Sequence, residues 1–123
     1  MPKIERFEDI KAWQLARYLC KEIYAVTGKG SFSKDWSLRD QIRRAGLSIM
    51  LNIAEGFARQ SNREFRQFLY VAHGSVAEVQ SALYVAKDQT YITDDDFRNI
   101  YRQAEDISRA LAGFIRYLGS TID

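Results

Sequence analysis

Proline occurs once in the 123-residue chain, at Pro2, so nothing beyond the first residues interrupts a helix by ring closure. Cysteine also occurs once, at Cys20, which excludes an internal disulfide and a cysteine-based zinc site. Histidine is limited to His73. Charged residues interrupt every apolar stretch before it reaches membrane-spanning length, and the opening MPKIERFEDI lacks the basic-then-apolar layout of a signal peptide. A cytoplasmic protein with no membrane partner is the expectation. A large charge imbalance is missing too: the net charge of +2 does not by itself demand a polyanionic partner.

What remains is an ordinary globular composition, 46% apolar and 28% charged, with room for one core. No repeat, linker or low-complexity segment divides the chain, so residues 1–123 are expected to form a single domain. Apolar residues recur at three- and four-residue steps along most of it. The first helix is expected from about Phe7 to Thr27, ended by Gly28 in a GKGS turn suited to a left-handed cap. A second starts near Asp35 or Ser37 and reaches about Arg59, with Leu38, Ile42, Ala45, Ile49, Ile53 and Phe57 on its seam. Ser61, three residues before Glu64, has the spacing of a capping box and opens a third helix running to about Lys87. Thr93 caps a fourth, which runs to about Leu118; Asp94, Asp95 and Asp96 suit its first turn, where the helix dipole favours carboxylates. Four helices of matched length, roughly 30–40 Å at 1.5 Å per residue, joined by short loops, predict an all-α, antiparallel up-down-up-down four-helix bundle. Phe32 and Trp36 should fold back over one end. Gly46, Gly56, Gly74 and Gly113, all inside helices, should mark close helix approach.

Catalytic chemistry finds little support. A di-iron bundle needs two Glu-x-x-His motifs, and Tyr70 stands where the partner of His73 would be, so no metal site and no cofactor are expected. Ser75 and His73 point about 200° apart on a helix and form no local dyad. Cys20, flanked by Leu19 and Ile23, reads as a small hydrophobe. Phosphate-cradling glycine loops are absent, and the chain is not expected to be an enzyme.

Polar patterning offers two features. Ser48, Asn52, Glu55 and Arg59 fall on one line of the second helix, and Ser75 and Glu78 on one of the third. Facing each other, they would make a polar seam of Asn52, Glu55, Ser75 and Glu78; a solvated face is the equal alternative. The other feature is arginine. Arg39, Arg43 and Arg44 cluster on the second helix, while Arg102, Arg109 and Arg116 form a stripe on the fourth, together with Arg98. Guanidinium groups suit phosphate and stack on bases, and Tyr101 and Tyr117 adjoin the stripe as candidate stacking platforms.

The string NIAEGFAR (residues 52–59), followed by S-x-x-EF-x-x-FL-x-x-A-x-GS-x-x-EV-x-x-x-L, resembles the bacterial four-helix-bundle family linked to intervening sequences of 23S ribosomal RNA genes. The likeness runs from FEDIKAWQLA (Phe7 to Ala16) through the third helix; the fourth matches in length and periodicity only. Asn52, Glu55, Gly56, Glu64, Phe65, Phe68, Gly74, Ser75 and Glu78 are the motif positions. A more distant likeness is to the accessory variability protein of diversity-generating retroelements. The resemblance implies no enzymatic activity and a ring-like homo-oligomer, expected to be a pentamer. The resulting expectation is a homo-oligomeric protein that binds nucleic acid, RNA before DNA, through its arginines. The alternative is an interaction or scaffold module whose apolar helix faces dock a partner enzyme, such as a nucleic-acid-processing protein.

Overall fold

The computed structural model describes residues 3–120, and among them it contains helices and no strand. Four long helices follow one another: α1 (Lys11–Thr27), α2 (Trp36–Ala58), α3 (Asn62–Asp88) and α4 (Asp94–Gly119). Each packs on its chain neighbour, and α4 closes on α1, so α1 and α3 share one diagonal and α2 and α4 the other. This is the four-helix bundle expected from the periodicity.

Three of the helix starts have the caps the sequence announced. Asp35 accepts the Leu38 N–H at 3.1 Å, Ser61 the Glu64 N–H at 3.3 Å and Thr93 the Asp96 N–H at 3.0 Å. The start of α1 differs. Phe7–Asp9 is a 3-10 turn, and Ile10 is extended and buried, so the α-helix begins at Lys11. The cause is Asp9, whose carboxylate accepts the backbone N–H groups of Glu5 (3.1 Å) and Arg6 (3.2 Å) and holds a separate turn.

The end of α1 is a second correction. Gly28 has φ −89°, and the left-handed residue is Gly30 at φ 51°, which opens a 3-10 turn over Gly30–Lys34. That turn buries Phe32 completely and stacks it on Tyr91 at 5.2 Å between centroids. Tyr91 in turn donates its hydroxyl to Asp35 at 3.0 Å, tying the α3–α4 connection to the start of α2. Accepting that bond, Asp35 raises the Tyr91 phenol above its ordinary value. Thr90, a β-branched residue at φ 59°, adopts the left-handed conformation that ends α3 and turns Tyr91 into this position. Trp36, expected to fold over the same end, stays 69% exposed. Phe32 and Tyr91 stack on each other at that end without it.

The interior is layered from Leu19 and Ile23 of α1, Ile42, Ile49 and Ile53 of α2, Leu69, Ala72 and Leu83 of α3, and Ile100, Ile107 and Leu111 of α4. Two of the four helix glycines mark close approach. A Cβ at Gly46 would meet Ile23 Cδ1 at 3.0 Å, and one at Gly56 would meet Phe68 Cβ at 2.7 Å and Phe65 at 2.9 Å. Gly74 is exposed with nothing within 4 Å, and Gly113 meets only the far end of Arg116 at 3.9 Å, so neither marks a close helix approach. Gly56→Ala should therefore cost about 2 kcal/mol or more through overpacking. Gly74→Ala should raise stability by about 0.5–1 kcal/mol through helix propensity. Urea unfolding of the two variants checks this contrast; equal effects would place Gly56 outside a tight contact.

Candidate nucleic-acid interface

The six candidate arginines occupy two surfaces. At about 100° per residue, Arg102, Arg109 and Arg116 fall within about 40° of one another, on the side of α4 opposite Ile100, Ile107 and Leu111. Arg39, Arg43 and Arg44 lie near the start of α2. Because α2 and α4 stand on a diagonal, one chain presents these groups in opposite directions. Sequence spacing groups each trio but gives no angle between the two helices.

The α4 stripe is interleaved with acids. Arg98 pairs with Asp95 and Arg109 with Asp106, and Glu105 lies on the same side. Arg102 and Arg116 are exposed, and among the described residues neither forms an ion pair. Tyr101, a candidate platform, is half-buried and stacks on Phe97 at 5.4 Å between centroids. Its hydroxyl donates to Tyr84, and holding that proton raises the Tyr101 phenol above its ordinary value. Tyr117 is exposed but lines two grooves at the opposite end of the bundle, of about 580 and 600 Å³, on either side of Ile4.

On α2 the three arginines differ in what they already hold. Arg39 donates to Asp40 at 3.0 Å and to the Ser33 carbonyl at 3.0 Å. Arg43 donates to Thr27 Oγ1 at 2.8 Å and lies over the Tyr24 ring at 4.4 Å, fastening α2 to the end of α1. Arg44 is exposed and uncommitted. Around them, residues 28–45 hold five cations (Lys29, Lys34, Arg39, Arg43, Arg44) against two acids, Asp35 and Asp40. Both acids are engaged, Asp35 by Leu38 and Tyr91 and Asp40 by Arg39. The acids of this end gather instead across the α3–α4 connection, at Asp88, Asp94, Asp95 and Asp96.

The polar seam has a smaller membership than its spacing suggests. Ser75 Oγ donates to Ser48 Oγ at 2.8 Å and to the Val71 carbonyl at 3.2 Å, and Asn52 donates to Ser48 Oγ at 3.0 Å and to its carbonyl at 2.8 Å. Ser75 is buried and Asn52 half-buried, and together they join α2 to α3 through Ser48. Glu55 and Glu78 are exposed on the single chain, and Glu55 pairs with Arg59 at 2.9 Å. Neither glutamate takes part in the hydrogen bonds among Ser48, Asn52 and Ser75.

Ser108, not singled out by spacing, is the residue that meets His73, at 3.0 Å across α3 and α4. The pair stitches two helices, and neither end groove includes it. Among the described residues no three His, Cys, Asp or Glu side chains gather as a metal site would require. No helix among them is long and apolar enough to cross a membrane.

The model of the family described as 23S rRNA-intervening sequence protein matches residues 8–113. The chain belongs to that family. Its match takes in most of α4, beyond the reach of the motif strings. Among solved structures, this family member is similar to a protein of unknown function from the S23 ribosomal protein family of Bacteroides thetaiotaomicron VPI-5482. The likeness has a TM-score of 0.77 at 24% identity, over 85% of this chain and 98% of that one, and it shows the shared bundle. A search among curated proteins finds no match. The distant likeness to the accessory variability protein gains no support from these comparisons.

Cys20, the family member's single thiol, is buried, and that burial pushes its pKa up to about 11. The raised value means that only about one thiol in a thousand is ionised at about pH 8, whereas an unfolded chain ionises a sizeable fraction. Iodoacetamide should therefore modify the folded protein more than about a hundredfold more slowly than the denatured one, followed by intact mass. Comparable rates would show an accessible thiolate.

Proposed function

We propose that this chain is a non-enzymatic, homo-oligomeric protein, a ring of five copies, that binds RNA through its basic surface. The observation that carries the reading is the corner where α1 gives way to α2. Five cations stand there against two acids that are already hydrogen-bonded, in a chain of only +2 net charge. The α4 stripe contributes Arg102 and Arg116, its two uncompensated members. The family's description, an intervening sequence of 23S rRNA, supplies an RNA context. In a ring, each corner and each stripe repeats about the axis, so modest charge per chain sums to a polyanion-binding surface.

The oligomer is supported by the outer surface of α2 and α3. Leu51 is 61% exposed and Val71 54% exposed, with Gly74 and Val85 continuing the patch and Glu55, Arg59 and Glu78 as its charged members. Exposed apolar side chains on the outer face of two packed helices are the kind of surface another chain covers, which supports the oligomer. A partner enzyme docked on the same patch, with the arginines merely solvated, is the second reading.

Two measurements separate these readings. Light scattering should report a multiple of the 14.3 kDa chain, and Leu51→Glu should shift it to monomer while leaving helical circular dichroism intact. An unchanged mass would move the interface elsewhere. RNA affinity across a salt series should fall steeply, and Lys29, Lys34 and Arg44 changed together to alanine should reduce the log–log slope by about 2 on a single strand. These three are chosen because, unlike Arg43, their side chains hold no neighbouring helix. Absence of RNA binding at low salt would favour the partner-docking reading.

A further inference from the structure

Trp36 is the most exposed large apolar side chain among the described residues, and no other ring there packs on its indole. An indole left in water forgoes burial that a bundle of this size could use, so its surroundings indicate what covers it. They are not apolar. Trp36, Asp40 and Arg44 follow one another at four-residue steps, with Ser37 and Gln41 on the adjoining ridge. Together the five line a shallow notch of about 320 Å³. That is at the small end of the roughly 300–1,000 Å³ typical of small-ligand pockets. The apolar part of the outer α2 surface begins only at Leu47, about three turns further along the helix. A protein contact centred on Trp36 would therefore lack the apolar surround that such anchors have.

We infer that this notch seats one unpaired base of a single-stranded RNA, stacked on the Trp36 indole; the inference rests on the nucleic-acid reading above and names the strand form it takes. The indole supplies a π face of the kind on which any base stacks. Gln41 offers a donor and an acceptor to the base edge, Ser37 a hydroxyl, and Arg44 a donor fork. Asp40 Oδ1 is held by Arg39, which leaves its other oxygen to accept. Arg44, with Lys34 and Lys29 on the preceding turn, lies where the flanking phosphates would run, and the edges of the Arg43 guanidinium not turned to Thr27 add to it. The acids at Asp88 and Asp94 to Asp96 repel the backbone from the neighbouring corner and direct it along α2. A base-paired strand has no free base face to offer, so single strands are preferred over duplex.

The test uses the full chain carrying Trp13→Phe, which leaves Trp36 as the only tryptophan; Trp13 is half-buried against Phe7 and tolerates the smaller ring. A short unstructured RNA strand, a DNA strand of the same sequence and an RNA duplex of equal length are titrated at low salt. Single-stranded RNA should quench Trp36 emission and bind more tightly than the duplex; the DNA strand shows whether the sugar matters. In the wild-type background Trp36→Ala should weaken binding of the RNA strand roughly five- to a hundredfold, and Trp36→Phe should recover most of it. Wild-type binding that Trp36→Ala leaves unchanged would overturn the base site while the nucleic-acid reading stands. Tighter binding of the duplex, without quenching, would do the same. A change of oligomer mass in Trp36→Ala would instead make Trp36 a contact between copies and overturn it. No binding of any strand by the wild-type protein would remove both readings together.

Discussion

The bundle depends on how closely α2 can lie against its two neighbours. Gly56 admits Phe65 and Phe68 of α3 at distances a Cβ would not allow, and Gly46 admits Ile23 of α1 at one where a Cβ would force that side chain to shift. With those approaches made, the isoleucines of α2 reach the interior and α4 closes the fourth side over Leu111 and Ile107. The polar link among Ser48, Asn52 and Ser75 runs along the same α2–α3 contact and satisfies the hydroxyls it buries. Packing at α2 thus sets the position of every other helix.

The same constraint arranges the surfaces. Once α1 and α3 flank α2, the outward side of α2 is fixed, and its start lies beside the turn that carries Lys29 and Lys34. Arg43 contributes twice, fastening α2 to Thr27 and Tyr24 while keeping positive charge at the corner. Asp35 is consumed by its cap and by Tyr91, so it cancels less of that charge toward an incoming ligand. The diagonal placement of α4 sends its own arginines the other way. A single chain is therefore two-sided in its charge.

Much of the fold was legible from the chain alone. The seam of α2 was read at Ile42, Ala45, Ile49 and Ile53, all buried, with Leu38 and Phe57 half-buried at its ends, and Asp35, Ser61 and Thr93 cap the helices they precede. Local physics decides these features: the period of apolar residues, and hydrogen bonds spanning three positions. The start of α1 was missed because Asp9 competes for backbone groups upstream; its end at Thr27 was read correctly, but Gly30 and not Gly28 takes the left-handed conformation. Trp36 was misplaced: at that end Phe32 packs against Tyr91, 59 residues further along the chain, and Trp36 stays exposed, a long-range pairing that local spacing does not encode.

The candidate site was legible only in part. Spacing places Arg102, Arg109 and Arg116 on one side of α4 and Arg39 with Arg43 on one side of α2, since residues four and seven apart share a helix face. What spacing does not encode is the direction in which one helix face points relative to another, or which donors are already spent. The exclusion of Glu55 and Glu78 from the seam and the meeting of His73 with Ser108 depend on distances between helices. Sequence by itself determined four amphipathic helices, their caps and their charges, because those follow from contacts within a few residues. Tertiary structure alone decided that α2 and α4 are diagonal, that Arg39 and Arg43 are engaged while Arg44 is free, and that Trp36 stands in water, because each is settled by which helices compete for the same interior space.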